Sequence, residues 1–243
     1  MKQRLALITG GTMGIGRAVA NRFANEGYHL LLVYLGGNEQ AEQLKEEIEK
    51  RCNTHVWLLE CDVTDMKSID TVIAFLDSHN LTLDTAILNA GITDRSSFET
   101  MSYEGWDRVF TANIHFPTFL LQQLGPRLRD GGSVIFTGSK MGIEPHAMSL
   151  SYGVTKSAVH ALVKNLVKFF ADRSIRINGV APGFVMTEWQ KEKPKEIVQN
   201  ICNKVALGRF CDPDELTDVY WMLASNTYIN GDIIEIDGGY SFK

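Results

Sequence analysis

Short apolar runs alternate with longer amphipathic segments along this chain. The runs are four to six residues long and rich in Leu, Ile and Val, which is typical of strands buried in a parallel sheet. Several of the segments between them repeat apolar residues every three or four positions, as helices with one buried face do. Seven strands are predicted, at residues 5–9, 29–34, 55–60, 85–88, 133–136, 176–180 and 233–236.

Strands and helices alternate from one end of the chain to the other, and no linker, repeat or low-complexity tract interrupts them. Such alternation favours a parallel sheet with helices on both faces. We therefore predict an α/β fold: one doubly wound, Rossmann-type domain over residues 1–243, whose seven-stranded parallel sheet is flanked by helices.

Four further segments carry predictions of their own. The helices predicted at residues 103–124 and 152–170 carry more apolar surface than a monomer should expose, so we expect them to contact a partner subunit. Residues 184–206 are polar and irregular and are predicted to form a mobile flap. Asp212 is predicted to cap a helix that has Pro213 at its first position and Glu215 completing a capping box.

A glycine-rich turn joins the first predicted strand to the first helix. Its sequence is TGGTMGIG, from Thr9 to Gly16. Gly10 allows a tight turn, while Gly14 and Gly16 allow the backbone to approach a pyrophosphate at a helix N-terminus. The alternative is a strand-to-helix turn that needs glycine only for its backbone angles.

The end of the second strand bears on the choice of cofactor. In dinucleotide-binding folds an acid at this place binds the 2′-hydroxyl of NAD, whereas the 2′-phosphate of NADP needs donors or cations. Residues 34–38 contain no acid, and Gly36, Gly37 or Arg17 could supply donors to an anion. The sequence therefore predicts a preference for NADP(H), and NAD(H) is not excluded.

Polar residues follow two other strands at the edge where ligands bind in such sheets. Asp62 could accept a hydrogen bond from an adenine amine, or it could be a turn residue. Asn89, Ala90 and Gly91 follow the fourth strand, where an amide and a glycine suit a ligand crevice.

Tyr152 and Lys156 are four residues apart and would lie on one face of a helix. A phenol releases its proton near pH ~10, and a nearby cation lowers that pKa, so such a Tyr can exchange a proton with a carbonyl or alcohol. Ser139 could bind the same substrate oxygen. The alternative is an ordinary pair on a helix surface.

Composition and charge argue against several classes of function. The chain has 243 residues and a formal net charge of −5, with no basic stripe for nucleic acid and no apolar run long enough for a membrane span. The four cysteines and six histidines show no metal-ligand spacing, so we expect no metal. Reduced thiols and the absence of a secretion signal predict a cytoplasmic protein.

Four motifs occur in order: TGGTMGIG at Thr9–Gly16, NAG at Asn89–Gly91, Ser139 with YGVTK at Tyr152–Lys156, and PG at Pro182–Gly183. This set resembles the short-chain dehydrogenase/reductase family over essentially the whole chain. The resemblance implies a catalytic set of Asn113, Ser139, Tyr152 and Lys156. It implies cofactor contacts from Gly10, Thr12, Met13, Gly14, Ile15, Gly16, Tyr34, Asp62, Val63, Asn89, Ala90, Gly91, Tyr152, Lys156, Pro182, Gly183, Val185 and Thr187.

The same resemblance implies a role for each catalytic residue. Tyr152 would be the general acid in reduction and Ser139 would stabilise the carbonyl oxygen. Lys156 would hold the nicotinamide ribose and lower the pKa of Tyr152, and Asn113 would anchor a water that links Lys156 to solvent. Thr187 would contact the nicotinamide carboxamide.

Within the family, the stretches VAPGFVMTEW, LGRFCDPDEL and INGDIIEIDGGY resemble 3-oxoacyl-[acyl-carrier-protein] reductases. The expected activity is therefore reduction of a 3-oxoacyl group on its carrier protein, within fatty acid biosynthesis, by a homotetramer. The chain departs from the pattern at Met13, at Gly138, where a Ser is usual, and in a short segment at 224–228.

Two alternatives stay open: an enzyme of a sugar, polyol or steroid alcohol, and a non-catalytic dinucleotide-binding regulator. Ile143, Glu144, His146 and Met148 are expected to line the substrate site and to decide between substrates. An acidic carrier protein needs a basic docking patch near the cleft, for which Arg129 and Arg173 are the candidates.

Overall fold

The apolar runs form strands because both faces of the sheet are covered. In the first strand Leu5 and Leu7 pack in one core cluster, while Ala6 and Ile8 pack in another on the opposite side. Side chains alternate between the two faces of a strand, so a strand buried on both faces must be apolar throughout. This explains why the strands read as continuous apolar runs rather than as alternating patterns.

The computed structural model describes residues 4–145, 149–191, 193–240 and 242. All seven strands are parallel, in the order β3-β2-β1-β4-β5-β6-β7. They are β1 (Arg4–Thr9), β2 (Tyr28–Tyr34), β3 (Val56–Glu60), β4 (Leu83–Leu88), β5 (Leu128–Thr137), β6 (Arg176–Pro182) and β7 (Ile233–Ile236). The prediction of a seven-stranded, Rossmann-type parallel sheet is confirmed. Strand order reverses between β1 and β4, which places a ligand crevice beyond their carboxyl ends.

The helices cover both faces of this sheet. They are α1 (Gly14–Asn25), α2 (Asn38–Arg51), α3 (Ser68–Ser78), α4 (Tyr103–Phe110), α5 (Phe116–Leu124), α6 (Leu150–Phe170), α7 (Glu188–Lys191), α8 (Lys195–Cys202) and α9 (Pro213–Ser225). Tyr220 of α9 and Phe23 of α1 are fully buried on one face, and Phe116 of α5 is buried on the other.

The helix predicted at 103–124 is not one continuous α-helix. A π-helical turn, Thr111–His115, separates α4 from α5. It contains Asn113, which is 2% exposed, so the general expectation that a mid-helix Asn faces solvent is wrong here. The reason is local: the Asn113 amide bonds backbone outside its own helix, and π turns occur often at functional sites.

The segment at 184–206 is also more ordered than its composition suggests. It contains α7 and α8, and Pro194 is the residue immediately before α8. Proline is tolerated at a helix start because the first N–H groups have no partner within the helix. Pro194 therefore marks the start of a helix rather than irregular chain.

Arg129 and Arg173 lie at the amino edge of the sheet, opposite the ligand crevice. Arg129 is the second residue of β5 and pairs with Asp84 at 2.7 Å, and Arg173 lies before β6 and pairs with Asp130 at 2.7 Å. Arg173 also donates to the carbonyl oxygen of Gly125 at 2.6 Å. The expectation that these arginines form a docking patch near the cleft is therefore wrong, because parallel strands place them at the far edge.

The described residues contain neither a membrane-spanning helix nor a metal-binding cluster. Within them, no helix combines the length and the apolar content that crossing a bilayer requires. In the same part of the chain, no group of three or more His, Cys, Asp or Glu side chains is placed to hold a metal ion.

The start of α9 confirms the predicted capping box. Asp212 Oδ1 accepts a hydrogen bond from the backbone N–H of Asp214 at 3.0 Å. Glu215 Oε2 accepts from the backbone N–H of Asp212 at 2.8 Å, and Arg209 pairs with that carboxylate at 2.6 Å. Two N–H groups that a helix start leaves unpaired are thereby satisfied.

We predict that Asp212→Ala lowers the free energy of unfolding by about 1 kcal/mol, because an N-cap acceptor is lost. In a chain of this size that corresponds to a melting temperature lower by about 2–4 °C. Asp212→Asn is the matched control, since Asn caps as well as Asp and should melt near the wild type. Equal melting temperatures for the Ala variant and wild type would show that the cap does not stabilise α9.

Candidate active site

A cavity of about 370 Å³ opens at the carboxyl ends of β1, β2, β4 and β5. Its volume falls within the range of small-molecule and cofactor sites. Fourteen of the predicted cofactor residues line it: Gly10, Thr12, Met13, Gly14, Ile15, Tyr34, Asp62, Val63, Asn89, Ala90, Gly91, Tyr152, Lys156 and Thr187. We refer to it below as the main cavity.

The glycine turn has the geometry that a pyrophosphate needs. Gly10 and Gly14 have φ of +64° and +50°, which side chains other than glycine rarely adopt. A Cβ on Gly16 would lie 2.0 Å from the carbonyl oxygen of Gly10. The N-cap residue of α1, Met13, makes no side-chain capping bond, so no side chain satisfies the first N–H groups of α1 there, and Gly14 and Ile15 line the cavity. These residues fit the diphosphate of a dinucleotide.

Asn89 and Ala90 are fixed against the end of β1. The Thr9 hydroxyl accepts hydrogen bonds from the backbone N–H groups of Asn89 at 2.9 Å and Ala90 at 3.0 Å. The Asn89 side-chain amide donates to the Thr9 carbonyl at 3.1 Å. These bonds hold the floor of the main cavity in place. Thr9 was not among the predicted site residues, although its position directly before the glycine turn was a signal.

Tyr152 lines the other end of the main cavity, and its phenol meets Ser139, which lines a second, smaller cavity. Tyr152 lies in the first turn of α6, and Ser139 follows β5. Burial raises the pKa of Tyr152 to about 12, against a smaller lowering by a hydrogen bond with the Ser139 side chain. The phenol is therefore protonated at neutral pH, which is the state that a general acid requires before it donates.

Lys156 is buried one turn further along α6 and anchors that helix to β5. Its Nζ donates to the carbonyl oxygen of Thr137 at 2.6 Å and lies 5.4 Å from the centre of the Tyr152 ring. Burial lowers the pKa of Lys156 to about 8. The expected lowering of the Tyr152 pKa by Lys156 is not found, because the ammonium binds a carbonyl oxygen and burial of the phenol dominates.

Asn113 holds the chain after β4 against α6. Its Oδ1 accepts from the backbone N–H of Ile92 at 2.9 Å, and its Nδ2 donates to the Ile92 carbonyl and to the Thr155 hydroxyl, both at 3.0 Å. A Cβ on Gly91 would lie 2.9 Å from Asn113 Oδ1 and 3.6 Å from Lys156 Nζ. Asn113 therefore lies next to Lys156 and beneath the main cavity rather than on its wall.

Gly138 and His160 fit against each other behind Ser139. A Cβ on Gly138 would lie 2.2 Å from His160 Nε2, so the ring fills the space that a serine would need. Burial, together with nearby Lys156, lowers the pKa of His160 to about 4. The neutral ring accepts a hydrogen bond from the Ser139 backbone N–H at 3.3 Å. The departure from the family pattern at Gly138 thus has a physical reason.

Lys140 ties the segment after Ser139 to the end of the sheet. The side chain is 7% exposed and pairs with Glu235 at 2.7 Å, Glu144 at 3.0 Å and Asp237 at 3.1 Å. Burial lowers its pKa, but the hydrogen bonds with the three carboxylates outweigh burial and raise the pKa above its ordinary value. Glu144 therefore contacts Lys140, which the sequence did not predict.

Several predicted residues lie outside the main cavity. Pro182 and Gly183 line a smaller cavity of about 30 Å³ beside Ser139. Val185 is buried and forms a bridge with Cys211, and Gly16 lies under the glycine turn. Of the expected substrate-lining residues, Ile143 is exposed, whereas His146 and Met148 lie outside the described residues.

Other lining residues of the main cavity were missed: Val33, Leu35, Cys61, Thr64, Ile92, Arg108, Thr137, Glu188 and Trp189. Most of them adjoin predicted residues in sequence. Trp189, two residues after Thr187, packs edge-on against Tyr152 with ring centres 6.4 Å apart. No sequence pattern distinguished Arg108 as a site residue, because it is one of several charged residues on α4.

The adenosine end of the cavity differs from the sequence-based interpretation. The backbone N–H of Gly36 donates to Glu60 Oε1 at 3.2 Å, and Arg17 pairs with Glu47 at 3.2 Å. Two of the three candidate donors for a 2′-phosphate, Gly36 and Arg17, therefore already contact carboxylates. Asp62 Oδ1 accepts from the N–H and hydroxyl of Thr64, both at 2.8 Å, as a turn residue does.

Comparisons with known proteins agree with this geometry. A short-chain dehydrogenase/reductase from Serratia marcescens superposes with a TM-score of 0.92 at 27% identity, covering 98% of each chain. A sequence profile described as "Enoyl-(Acyl carrier protein) reductase" matches residues 10–241. FabG of Aquifex aeolicus, a 3-oxoacyl-[acyl-carrier-protein] reductase, is 32% identical over 98% of this chain and 98% of its own length. The chain belongs to the short-chain dehydrogenase/reductase family.

Solved structures of this family also include sugar enzymes. L-sorbose reductase from Gluconobacter frateurii, solved with NADPH and L-sorbose, has a TM-score of 0.91 and is 25% identical, covering 99% of this chain and 97% of its own. The predicted family is therefore confirmed, and with it an oxidoreductase of the alcohol–carbonyl type that uses a nicotinamide dinucleotide.

We predict that Gly138→Ser lowers kcat by about tenfold or more, because the new side chain displaces the His160 ring and shifts Ser139. His160→Ala opens the space, so the double variant should retain within about threefold of the kcat of His160→Ala alone, as coupled neighbours do. Melting temperatures measured alongside show whether each variant folds. A double variant as impaired as Gly138→Ser would show that the two positions do not interact.

Proposed function

We propose that this protein reduces a carbonyl group to an alcohol with a hydride from a nicotinamide dinucleotide. The supporting observation is that Tyr152 lines one end of the main cavity, in contact with Ser139, while the other end has the backbone geometry of a dinucleotide site. The cofactor, when bound, supplies the hydride. The chain supplies the proton, the orientation and the stabilisation of developing charge.

Tyr152 would donate its proton to the carbonyl oxygen as that oxygen gains negative charge. Its raised pKa keeps the phenol protonated until then. The Ser139 hydroxyl, next to the phenol, would hydrogen-bond the same oxygen and stabilise the charge in the transition state. In the oxidative direction Tyr152 would act as the base.

Lys156 would hold the nicotinamide ribose and place a positive charge beneath Tyr152. With a pKa of about 8, the ammonium is mostly protonated at neutral pH and its charge is available to the site. Asn113 bonds Ile92 after β4 and Thr155 on α6, beside Lys156, and would order a water that links the ammonium to solvent. Thr187 would contact the carboxamide, and Trp189 would shield the phenol from water.

The proposed substrate is a 3-oxoacyl group on an acyl carrier protein. FabG-type relatives that match nearly the full chain support this choice. The alternative is a sugar or another small polyol, which the likeness to L-sorbose reductase favours. A panel containing 3-oxoacyl-carrier protein, a small 3-oxoacyl thioester and ketoses, followed at the nicotinamide absorbance, separates them. A kcat/KM higher for a ketose than for both acyl substrates would reject the acyl proposal.

The sequence-based expectation of NADP(H) stays a prediction, as does a cytoplasmic location. The similar structure of L-sorbose reductase, solved with NADPH, supports the NADP(H) prediction. The charges around the adenosine end of the cavity are acidic or already paired.

We predict that Tyr152→Phe lowers kcat by about 10³-fold, because the general acid is lost. Cofactor binding should survive, since the ring and Lys156 remain. Tyr228→Phe is the matched control, because Tyr228 is 97% exposed and makes the same chemical change away from the cavity. A Tyr152→Phe variant with turnover within tenfold of wild type would reject the proposed role.

The proposed assembly is a homotetramer. Phe119 on α5 and Phe169 on α6 are 47% and 71% exposed, which is unusual for large apolar side chains on neighbouring helices. We propose that these faces pack against further copies of the chain.

Light scattering should therefore give about four times the 27.2 kDa chain mass. Phe169→Glu should lower the mass of the particle, because a buried charge opposes association. Tyr228→Glu, which changes another exposed aromatic off these helices, should leave the mass unchanged. A wild-type monomer at micromolar concentration would contradict the proposed assembly.

A further inference from the structure

The turn after β2 and the end of β3 form the adenosine end of the main cavity. Tyr34, Leu35 and Asp62 line it there. In folds of this kind the ribose 2′ position is recognised at the end of β2. A 2′-phosphate requires N–H donors or cations at that place, whereas a 2′-hydroxyl can donate to a carboxylate.

Strand register brings a carboxylate to this turn from the neighbouring strand. The Cα of Glu60, the last residue of β3, pairs with that of Tyr34, the last residue of β2. From there Glu60 Oε1 accepts the backbone N–H of Gly36 at 3.2 Å. One N–H group that could bind a 2′-phosphate, that of Gly36, therefore already has an anionic partner.

Arg17, another candidate donor, does not make the adenosine end of the cavity positive. Arg17 on α1 is paired with Glu47 on α2 at 3.2 Å. Both side chains are about half exposed, so the ion pair is weak. Glu47 nevertheless balances the charge of Arg17, so the pair as a whole adds no net positive charge. Met13, the residue of the glycine turn immediately before α1, is uncharged.

Acidic side chains also surround Tyr34. Burial raises the pKa of the Tyr34 phenol, and the charges of Glu60 and Glu42 raise it further. Among the described residues that line the main cavity, the cations are Arg108 on α4 and Lys156 on α6. Lys156 is engaged at the catalytic end with Thr137. No lining cation therefore comes from the β2–α2 turn within the described residues.

We propose that Glu60 makes this enzyme select NAD(H) over NADP(H). Its carboxylate repels a 2′-phosphate at the end of β2 and accepts a hydrogen bond from the 2′-hydroxyl of NAD(H). This reverses the sequence-based expectation, which considered only the residues that follow β2. The inference rests on the proposed function to the extent that a nicotinamide dinucleotide binds in the main cavity.

The test is direct binding of NADH and NADPH to the cofactor-free protein, by nicotinamide fluorescence or calorimetry. We expect wild type to bind NADH about tenfold or more tightly than NADPH, since juxtaposed like charges suppress binding of the wrong partner. Glu60→Gln should tighten NADPH binding by about fivefold, because the repulsion is removed while the side-chain size is kept. Its Kd for NADH should stay the same or rise, because a charged acceptor is lost.

Glu46→Gln is the matched control for the change in net charge. Glu46 is an exposed residue on α2, two turns beyond the helix start, and should leave the ratio of the two Kd values unchanged. Because Glu60 is exposed, the wild-type preference should also shrink as salt is raised. A preference that does not change with salt would contradict an origin in charge repulsion.

Tighter wild-type binding of NADPH, or a Glu60→Gln variant with an unchanged ratio, would overturn the inference and leave the carbonyl reductase proposal intact. Failure to bind either dinucleotide would instead reject the proposed function itself. The two failures are therefore distinguishable in one set of titrations.

Discussion

The hydrogen bond from Lys156 Nζ to the carbonyl oxygen of Thr137, at 2.6 Å, is the contact on which the site depends. Lys156 is 4% exposed, and an ammonium at such depth needs a partner for its charge and its protons. By donating to the last residue of β5, it fixes α6 against the carboxyl edge of the sheet. That in turn places Tyr152, one turn earlier on α6, beside Ser139, two residues after Thr137.

Three side chains around this contact keep the catalytic segment rigid. Asn113 bonds the chain after β4 on one side of Lys156, and His160 accepts the Ser139 N–H on the other. Lys140, the residue after Ser139, pairs with Glu235 in β7 and with Asp237 just after that strand. Packed polar networks of this kind fix one geometry, because each unsatisfied member would be costly. They give the proposed active site its preorganisation.

Most of the fold could be predicted from the sequence, since a strand buried on both faces must be apolar throughout and helices must show one apolar stripe. β7 matches its predicted bounds, and β1 begins one residue before its own. What could not be predicted depends on contacts between distant segments. The π turn at Asn113, the His160 ring behind Gly138, and Glu60 beside Gly36 arise from packing and strand register, which no local pattern encodes.

In the proposed reaction a hydride passes from a nicotinamide dinucleotide to a substrate carbonyl carbon bound next to Tyr152. The most direct measurement uses reduced cofactor carrying deuterium at the transferable position of its nicotinamide ring, with a 3-oxoacyl thioester as substrate. Mass spectrometry and NMR of the product then locate the label. We predict one deuterium on the carbon that bears the new hydroxyl, and loss of that product when Tyr152 is replaced by Phe. Consumption of cofactor without label on that carbon, or no reduction of any carbonyl in the panel, would contradict it.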